Sequence, residues 1–447
     1  MSALAMILKQ MGCAVSGSDS KCTKKTDELK NMGVNIFIGH DAKNIPEDTD
    51  IIVVSSAISL ENVEVKYGEK IGIPIIHRSQ VLARLFNERR GIAISGAHGK
   101  TTTTSMMAAV LIAAGLDPAV AIGGEVPNLM SNGDCGKGEY FVAEADESDG
   151  SLVNLKPEYA VITNIDEDHL DFYENLDMII STFAGFVNNM KHSGCVFISS
   201  DCVNTKTLLS MIDRPFVSYS IAGVPADYNA YAIELIGGGS RFKVKKGEIE
   251  VGAFELSVPG EHNISDAMAV IAFSNEQSLP MDIVKRALLN FSGAKRRFQL
   301  VGVSAGIRVI DDYAHHPTEI KATLQATRIA VGNGRVICYF QPHRYTRLQH
   351  LFDDFVNAFE TADYLILADI YSAGEQIIEG VTADRLKEEI ILKHNKRSDQ
   401  VWYIPDQAAA ISQIIAVAKS GDIILTMGAG DIWKSGALII KGIEEGL

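Results

Sequence analysis

The chain has 447 residues, of which 47% are hydrophobic and 22% are charged, a length and composition that predict about three globular domains. Its 41 basic and 56 acidic residues give a formal net charge of −15, which argues against nucleic acids and anionic membranes as partners. The sequence predicts neither a membrane span nor a signal peptide, because it has no apolar run of about 18 residues and no basic leader. Its six scattered cysteines fit free thiols in the cytoplasm better than a disulfide framework or a zinc site.

Residues 1–90 alternate short apolar strands with helices, which predicts a parallel sheet covered by helices. A helix is predicted over 2–11, and strands over 13–16, 51–54 and 73–76. Ligands of such sheets bind beyond the carboxyl ends of the strands. Four polar residues there are candidates for substrate binding, although turn or capping chemistry is the simpler interpretation of any single one: Ser18, Asp19, Ser55 and His77.

Residues 91–104 predict a phosphate-binding loop. An apolar strand at 92–94, a glycine-rich turn at 95–99 and a helix that begins at the threonines follow the order typical of a P-loop. Glycines let backbone N–H groups converge on an anion, and the helix N-terminus adds partial positive charge. The loop is shorter than the common G-x-x-x-x-G-K-[ST] pattern, since Ile94 stands where the first glycine would be. The phosphate-binding candidates are Gly96, Ala97, His98, Gly99, Lys100, Thr101 and Thr102.

Two further apolar strands, at 140–146 and 160–165, end in acidic residues. In a P-loop fold, a strand beside the P-loop strand supplies a carboxylate that helps bind Mg²⁺. Glu144 is placed for this role, with Asp146 as the alternative. His169 could be a second ligand through its neutral imidazole. Judged from the acidic run around it alone, however, a solvated loop histidine is the favoured interpretation. Beyond them, 231–236, 241–245 and 248–256 predict antiparallel strands of a small lobe attached to this domain.

After a basic cluster at 295–297, the α/β alternation resumes. Strands are predicted at 307–310, 335–340, 364–367 and 423–426, and each is followed by a polar turn. The turns occupy 311–317, 341–347, 371–375 and 428–432. Four turns at the carboxyl ends of strands in one sheet converge on one crevice, which here would hold two arginines, three histidines and three aspartates.

Taken in order, these motifs resemble those of the Mur ligases of bacterial cell-wall synthesis, over essentially the whole chain. The motifs are GAHGKTT (96–102), EADESD (144–149), His169, GEHN (260–263), RRF (296–298), DYAHHP (312–317), QPHRYTR (341–347) and MGAGD (427–431). The short P-loop is itself a feature of that family. The resemblance implies three α/β domains with mainly parallel sheets flanked by helices, Rossmann-like at both ends and of P-loop type in the centre. It assigns 1–90 to a UDP-sugar, 91–296 to ATP, and 297–447 to the incoming amino acid.

Within the family, QPHRYTR favours the members that join L-alanine to UDP-N-acetylmuramate. The implied reaction uses ATP and Mg²⁺, and the lactyl carboxylate of the sugar becomes an acyl phosphate that the amine of L-alanine attacks. The resemblance implies Mg²⁺ ligands at Thr101, Glu144 and His169, and ATP contacts at Asn263, Arg297 and Asp312. It also implies a carboxylate clamp for L-alanine at Arg344 and Arg347, which makes them catalytic candidates with Lys100 and His169. Tyr313, His315 and His316 would line the same crevice, and no general base can be chosen among them.

Two alternative functions remain open from the sequence. One is a sister ligase that attaches a recycled tripeptide to the same sugar, and the other is a nucleotide-gated switch without ligase activity. A separate expectation concerns the N-terminus, because the chain starts with MSALA where the family has the end of a glycine-rich turn that follows a strand. We therefore expect a coding start upstream of Met1, a first sheet that lacks an inner strand, and weak binding of UDP-N-acetylmuramate by the chain as it stands.

Overall fold

A computed structural model of the chain describes residues 1–125, 131–169, 172–394 and 396–446. Its strands and helices fall into an N-terminal, a central and a C-terminal region, each built around parallel strands. None of the helices in these described stretches is both long enough and apolar enough to cross a bilayer. The predicted divisions after residues 90 and 296 stay predictions.

The N-terminal region contains two separate pairs of parallel strands. Ser16 lies opposite Asn35 in the first pair, and Ile52 lies opposite Ile75 in the second. Parallel pairing was predicted, but one continuous sheet was not found among the described strands. The elements are α1 (Ser2–Gln10), β1 (Ser16–Asp19), α2 (Lys24–Asn31), β2 (Asn35–Ile38), β3 (Ile52–Val54), α3 (Val63–Ile71), β4 (Ile75–His77) and α4 (Arg78–Asn87), with a short 3₁₀ helix at Ala42–Asn44.

The first strand was predicted too early in the chain. The sequence predicted 13–16, whereas β1 is Ser16–Asp19, so Ser18 and Asp19 lie in the strand rather than in the turn after it. The apolar residues at 13–15 suggested the earlier position, but pairing with the four residues of β2 determines where β1 forms.

The central region is built on one ten-stranded sheet, in the order β14-β13-β12-β11-β10-β9-β5-β8-β6-β7. All its pairs are parallel except β12–β13, β13–β14 and β6–β7. The elements are β5 (Arg90–Ser95), α5 (Lys100–Ala113), β6 (Ala119–Ala121), β7 (Gly133–Asp134), β8 (Tyr140–Glu144), β9 (Tyr159–Ile162), α6 (Leu176–Asn188), β10 (Cys195–Ser199), α7 (Val203–Met211), β11 (Phe216–Ser220), β12 (Tyr228–Ile236), β13 (Gly239–Lys246), β14 (Ile249–Leu256), α8 (Glu261–Glu276) and α9 (Met281–Leu289), with a 3₁₀ helix at Ser151–Asn154.

Both faces of this sheet are buried, which explains the continuous apolar run of β5. Ile92 and Ile94 pack with α5 and α8 on one face, whereas Ala93 packs with α6 on the other. The predicted antiparallel strands are confirmed as β12, β13 and β14. They extend the main sheet, because Tyr219 of β11 pairs with Tyr228 of β12.

The C-terminal region is a six-stranded sheet in the order β15-β16-β20-β17-β18-β19, in which only β15–β16 is antiparallel. All five residues of β17 are buried, with Phe340 on one face and Tyr339 on the other. The elements are β15 (Gln299–Ser304), β16 (Ile307–Asp312), α10 (Pro317–Val331), β17 (Val336–Phe340), α11 (Tyr345–His350), α12 (Phe352–Val356), β18 (Tyr364–Leu367), α13 (Ala383–His394), β19 (Val401–Tyr403), α14 (Gln407–Val417), β20 (Ile423–Met427) and α15 (Lys434–Glu445).

The four polar turns that follow these strands meet, as predicted. Gly428 N donates to Asp312 O at 3.2 Å, which joins the turns after β20 and β16. Gln341 Nε2 donates to Asp431 Oδ1 at 3.3 Å, which adds the turn after β17. The rings of His343 and Tyr371 stack at a centroid distance of 5.6 Å, which adds the fourth. One crevice at the carboxyl edge of the sheet is therefore confirmed.

Candidate active site

The turn between β5 and α5 depends on two glycines. Gly96 has φ +135° and Gly99 has φ +84°, conformations that residues with a side chain rarely adopt. A Cβ on Gly96 would lie 2.1 Å from Thr163 Oγ1, and one on Gly99 would lie 2.3 Å from Asp266 Oδ1. The short turn therefore packs tightly on two sides, and it leads into the first turn of α5, whose backbone N–H groups have no acceptor within the helix. Such a helix start is an anion-binding site.

The residues after β9 hold this turn in place. Asn164 Oδ1 accepts from His98 N at 2.9 Å, and Asn164 Nδ2 donates to His98 O at 3.0 Å. Thr163 Oγ1 donates to the same carbonyl oxygen at 2.6 Å. Thr163 and Asn164 are not among the residues predicted to form the site, although their place directly after a strand that adjoins β5 is the signal that could have found them.

Lys100 lies at the start of α5 as predicted, but protein groups surround its ammonium. Nζ is 2.7 Å from Glu147 Oε1, and it donates to Gly96 O at 2.6 Å and to Ala97 O at 3.1 Å. Burial raises the pKa of Glu147 to about 7 despite the attraction of Lys100. The other carboxylate oxygen of Glu147, Oε2, is buried without a hydrogen-bond partner among the described residues. A phosphate that reached Lys100 would replace Glu147 as its counter-ion.

The three predicted metal ligands lie around this pair. Glu144 Oε1 accepts from a backbone N–H at 2.8 Å. Burial raises the pKa of this carboxyl group, and the nearby Thr101 side chain is among the groups that oppose the rise. His169 Nε2 is 3.7 Å from Glu147 Oε1. Burial lowers the pKa of His169, so its imidazole is neutral near pH 7 and offers a lone pair. With the Glu147 oxygen that has no partner among the described residues, these groups form a donor set that fits Mg²⁺.

His98 reaches from the glycine-rich turn to the C-terminal region. Its Nε2 is 3.2 Å from Asp166 Oδ2, its Nδ1 is 3.4 Å from Glu319 Oε1, and its ring lies 4.7 Å from that of His316. Burial by itself would lower the pKa of His98, but hydrogen bonds to the two carboxylates raise it to about 9. The imidazole is therefore protonated at neutral pH. The structure thus places His316, predicted to line the amino-acid crevice, against the phosphate loop.

The hinge into the C-terminal region brings Arg297 and Asp312 close together. Arg297 Nη1 is 3.5 Å from Glu319 Oε1, and the guanidinium lies 5.1 Å from the centre of the Tyr313 ring. Asp312 accepts two backbone N–H groups, both at 2.7 Å, and burial raises its pKa to about 6. Asp312 therefore fixes the main chain around Tyr313, and its contact with a nucleotide stays a prediction.

The two arginines predicted to clamp the amino acid have different surroundings. Arg347 donates from Nε and Nη2 to Asp168 Oδ1 at 3.2 Å and 2.9 Å, and both side chains are only 7% exposed. Arg344 is 32% exposed, with Nη1 3.9 Å from Glu375 Oε1. Both arginines line the same narrow cleft as His169. One edge of the Arg347 guanidinium therefore links the C-terminal region to the central region. The binding of an L-alanine carboxylate by Arg344 and Arg347 stays a prediction.

Several residues of this region have backbone conformations that are unusual for residues with a side chain. The φ angles are +56° at His169, +60° at Arg296 and +70° at Arg344. Positive φ at such residues costs on the order of 1–3 kcal/mol each, and it persists where the surrounding structure fixes it. Two of these three strained positions, His169 and Arg344, carry side chains with predicted roles in the site.

A cleft of about 380 Å³ lies where the N-terminal and central regions meet. Ser56 Oγ donates to Asp149 Oδ2 at 2.8 Å and lies 3.1 Å from His77 Nε2. His77 also caps α4 through its Nδ1. The cleft is lined by Ser56, His77, Ser79, Gln80, Asp149, Gly150, Ser151 and Asn154. In this cleft His77, which was predicted to bind the substrate, lies next to polar groups of the central region.

The other predicted residues of the N-terminal region are not in the lining of this cleft. Ser18 Oγ donates to Glu64 Oε2 at 2.5 Å, and Asp19 Oδ1 accepts from the backbone two residues ahead at 3.1 Å. Ser55 O accepts from a backbone N–H at 3.0 Å in a turn. Asn263, predicted near the adenine, donates to the backbone carbonyl of Pro259 at 2.7 Å. Asp19 and the main chain of Ser55 thus make turn contacts, whereas Ser18 bonds to a distant carboxylate. Ligand contacts of all four residues stay predictions.

Comparison with known proteins gives three family matches in succession. Residues 1–90 match the Mur ligase family catalytic domain, 94–274 the Mur ligase middle domain, and 296–430 the Mur ligase glutamate ligase domain. A curated relative from Desulforamulus reducens, named UDP-N-acetylmuramate--L-alanine ligase, is 44% identical over 100% of this chain and 96% of its own length. The chain belongs to the Mur ligase family. A relative of the same name from Geobacter sulfurreducens is 43% identical over 100% of this Mur ligase and 96% of its own length.

Solved structures of Mur ligases confirm the predicted fold class. The UDP-N-acetylmuramate-alanine ligase MurC from Thermotoga maritima is 28% identical and superposes with a TM-score of 0.82, covering 100% of this chain and 97% of that one. A murein peptide ligase from Psychrobacter arcticus, at 24% identity and a TM-score of 0.71, covers 99% of this chain and 96% of its own, and shows the fold alone. The three-region α/β architecture is thus the Mur ligase fold.

Proposed function

We propose that this Mur ligase joins L-alanine to the lactyl carboxylate of UDP-N-acetylmuramate, with ATP as the source of energy. The observation that carries the proposal is the similarity of the whole chain, at 44% identity, to curated relatives named for that reaction. The geometry supports it, because His98 of the phosphate loop contacts Glu319 of the C-terminal region, and the cleft that contains Arg344 is lined by residues of both regions.

In the proposed reaction, the lactyl carboxylate attacks the γ-phosphate of ATP and ADP leaves. The amine of L-alanine then attacks the acyl phosphate, and inorganic phosphate leaves as the amide forms. A carboxylate must approach a triphosphate in the first step, so negative charge has to be neutralised there. The glycine-rich turn and the start of α5 would hold the phosphates, and Lys100 would exchange Glu147 for them. Arg344 would orient L-alanine through paired hydrogen bonds to its carboxylate.

We propose Mg²⁺ as the metal, held by Thr101, Glu144 and His169. Bound there, the ion would neutralise charge on phosphate oxygens. The support is the donor set itself, which combines the Thr101 hydroxyl, the Glu144 carboxylate and the neutral His169 imidazole with a buried Glu147 oxygen that has no hydrogen-bond partner in the part of the chain that the structure describes. The nearby Arg297 would contact the nucleotide from the hinge, with Asn263 and Asp312 beside it.

The remaining assignments follow the predicted division into three domains. The cleft at His77 would form part of the UDP-sugar site in domain 1–90, with ATP in 91–296 and L-alanine in 297–447. We propose a cytoplasmic location, because all six cysteines are free thiols in the structure and fit a reducing compartment.

An ATP-dependent ligation assay tests the function. The whole chain is incubated with ATP, UDP-N-acetylmuramate and either a panel of amino acids or the recycled tripeptide. Phosphate release is expected to require both the UDP-sugar and L-alanine, to stop when EDTA removes the metal, and to return with Mg²⁺. Preference for the tripeptide would assign the sister ligase instead, and phosphate release without either acceptor would assign a nucleotide switch.

Replacing Arg344 with lysine tests the amino-acid clamp. The charge stays, but the planar guanidinium that binds a carboxylate through two parallel hydrogen bonds is lost. The apparent affinity for L-alanine is expected to fall by about 1–3 kcal/mol, while the ATP affinity changes little. Steady-state kinetics with each substrate varied in turn measure both values. Arg241→Lys is the matched control, because Arg241 is 56% exposed and pairs with Glu255 far from the site. Weakened ATP binding with unchanged L-alanine binding would assign Arg344 to the nucleotide.

A further inference from the structure

The carboxylate of Glu319 lies between the phosphate loop and the amino-acid crevice. It sits in the first turn of α10, and its side chain is only 11% exposed. Its oxygen Oε1 is 3.4 Å from His98 Nδ1 and 3.5 Å from Arg297 Nη1. Its oxygen Oε2 is 3.2 Å from His315 Nδ1. One carboxylate thus touches cationic or ring groups from the phosphate loop, the hinge and the C-terminal crevice.

A chain of contacts continues from His315 to the clamp side of the crevice. The His315 ring lies 5.8 Å from the His343 ring, and His343 Nδ1 is 3.2 Å from Arg347 Nη1. Arg347 shares its cleft with Arg344. A shift of the Glu319 carboxylate would therefore move groups at both proposed ligand sites.

Because Glu319 is buried, its carboxylate stays charged only if His98, Arg297 and His315 stabilise it. Burial alone would raise its pKa, but His315 and His98 hold that pKa well below the ordinary range, so the group is ionised. A buried carboxylate is tolerated only where cations or hydrogen bonds compensate it. His98 belongs to the central region, so that part of the compensation exists only while the central and C-terminal regions are together.

We propose that Glu319 is a positioning residue that couples nucleotide binding at the phosphate loop to L-alanine binding in the crevice. The proposal rests on the proposed function and adds to it a link between the two sites. A nucleotide that orders the His98 turn favours the arrangement in which Glu319 holds His315, and L-alanine then meets a preformed crevice. Thermodynamic reciprocity requires that L-alanine tighten nucleotide binding by the same factor, typically about 5–150-fold.

Glu319 also has a structural role, which the test must separate. Its Oε2 accepts the backbone N–H of His315 at 3.0 Å and of His316 at 3.3 Å, and so completes a capping box at the start of α10. Glutamine completes a capping box as well as glutamate does, but it carries no charge. Glu319→Gln therefore keeps the cap and removes the ionic contacts, whereas Glu319→Ala removes both.

The experiment measures L-alanine affinity by calorimetry with and without β,γ-methylene-ATP, in the wild type, Glu319→Gln, Glu319→Ala and the control Glu389→Gln, which lies exposed on α13. The ratio of the two affinities is the coupling factor. We expect a ratio of at least about 5 in the wild type and the control, and a ratio near 1 in both Glu319 variants. The midpoint temperature of thermal unfolding should be clearly lower than in the wild type only for Glu319→Ala.

Wild-type coupling that persists in Glu319→Gln but is lost in Glu319→Ala would overturn the proposal, since the cap alone would then explain the effect. A wild-type ratio near 1 would overturn it too. Failure of the wild type to bind L-alanine at all would be a different result, because it would overturn the proposed function and the coupling with it.

Discussion

Replacing Lys100 with alanine is expected to lower the ligation rate by at least about a hundredfold while the chain stays folded. The variant loses a positive charge placed where negative charge must be neutralised, and removal of one such group costs roughly 10²–10³ in rate. The fold should survive, although Lys100 is paired with Glu147 at 2.7 Å. The pKa of Glu147 is already raised to about 7, so the carboxyl group can take up a proton once its cation is gone. Phosphate release and urea unfolding measure the two effects separately.

Lys441→Ala is the matched control for this variant. Lys441 is 69% exposed and pairs only one helical turn away, with Glu445 at 3.5 Å. Its removal should leave the ligation rate unchanged and should change the free energy of unfolding by no more than about 0.5 kcal/mol. Near-normal turnover by Lys100→Ala would contradict the assignment of this lysine to the phosphates.

Replacing Asp168 with asparagine is expected to destabilise the contact between the central and C-terminal regions by about 3–5 kcal/mol, because it leaves Arg347 buried without a counter-charge. Burial would raise the pKa of Asp168, but Arg347 holds it far below the ordinary range, so the native pair is ionic. Separation of the two regions would expose Arg347 to water, so the variant favours it. Small-angle X-ray scattering should therefore show a larger radius of gyration than in the wild type, together with a reduced ligation rate.

Asp399→Asn supplies the comparison for the buried pair. Asp399 and Arg397 are 65% and 71% exposed, and an ion pair in that environment is worth at most about 1 kcal/mol. Equal and small effects of both substitutions on scattering and rate would mean that the Asp168–Arg347 pair does not hold the two regions together.

The local parts of the site follow directly from the sequence. The order of strand, glycine turn, Lys100 and helix is encoded within fifteen residues or so, because glycine conformations and helix starts depend on neighbours in the chain. The convergence of the four C-terminal turns was also predictable, since parallel strands present their carboxyl ends at one edge of a sheet. Both features appear in the structure as expected.

The partners of the charged side chains were not predictable in the same way. Asp168 lies in an acidic run, and its sequence gives no sign that Arg347 will bury it. Glu319 forms a capping box with His316 in the structure, but its position in the sequence gives no sign of the contact with His98. Such pairs depend on how two regions dock. The shift of β1 to Ser16–Asp19 has a similar cause, because pairing with β2 rather than apolar content determines the strand.

At Arg344, the residue that would give the most stable fold differs from the residue that catalysis needs, because its backbone has a positive φ. Glycine would adopt φ +70° without steric strain, and relief of about 1–3 kcal/mol would exceed or offset its larger entropy in the unfolded chain. That change would also delete the guanidinium assigned to the amino acid. Selection for heat resistance alone would therefore push this position toward the residue that abolishes its role, and stabilising designs should leave it unchanged.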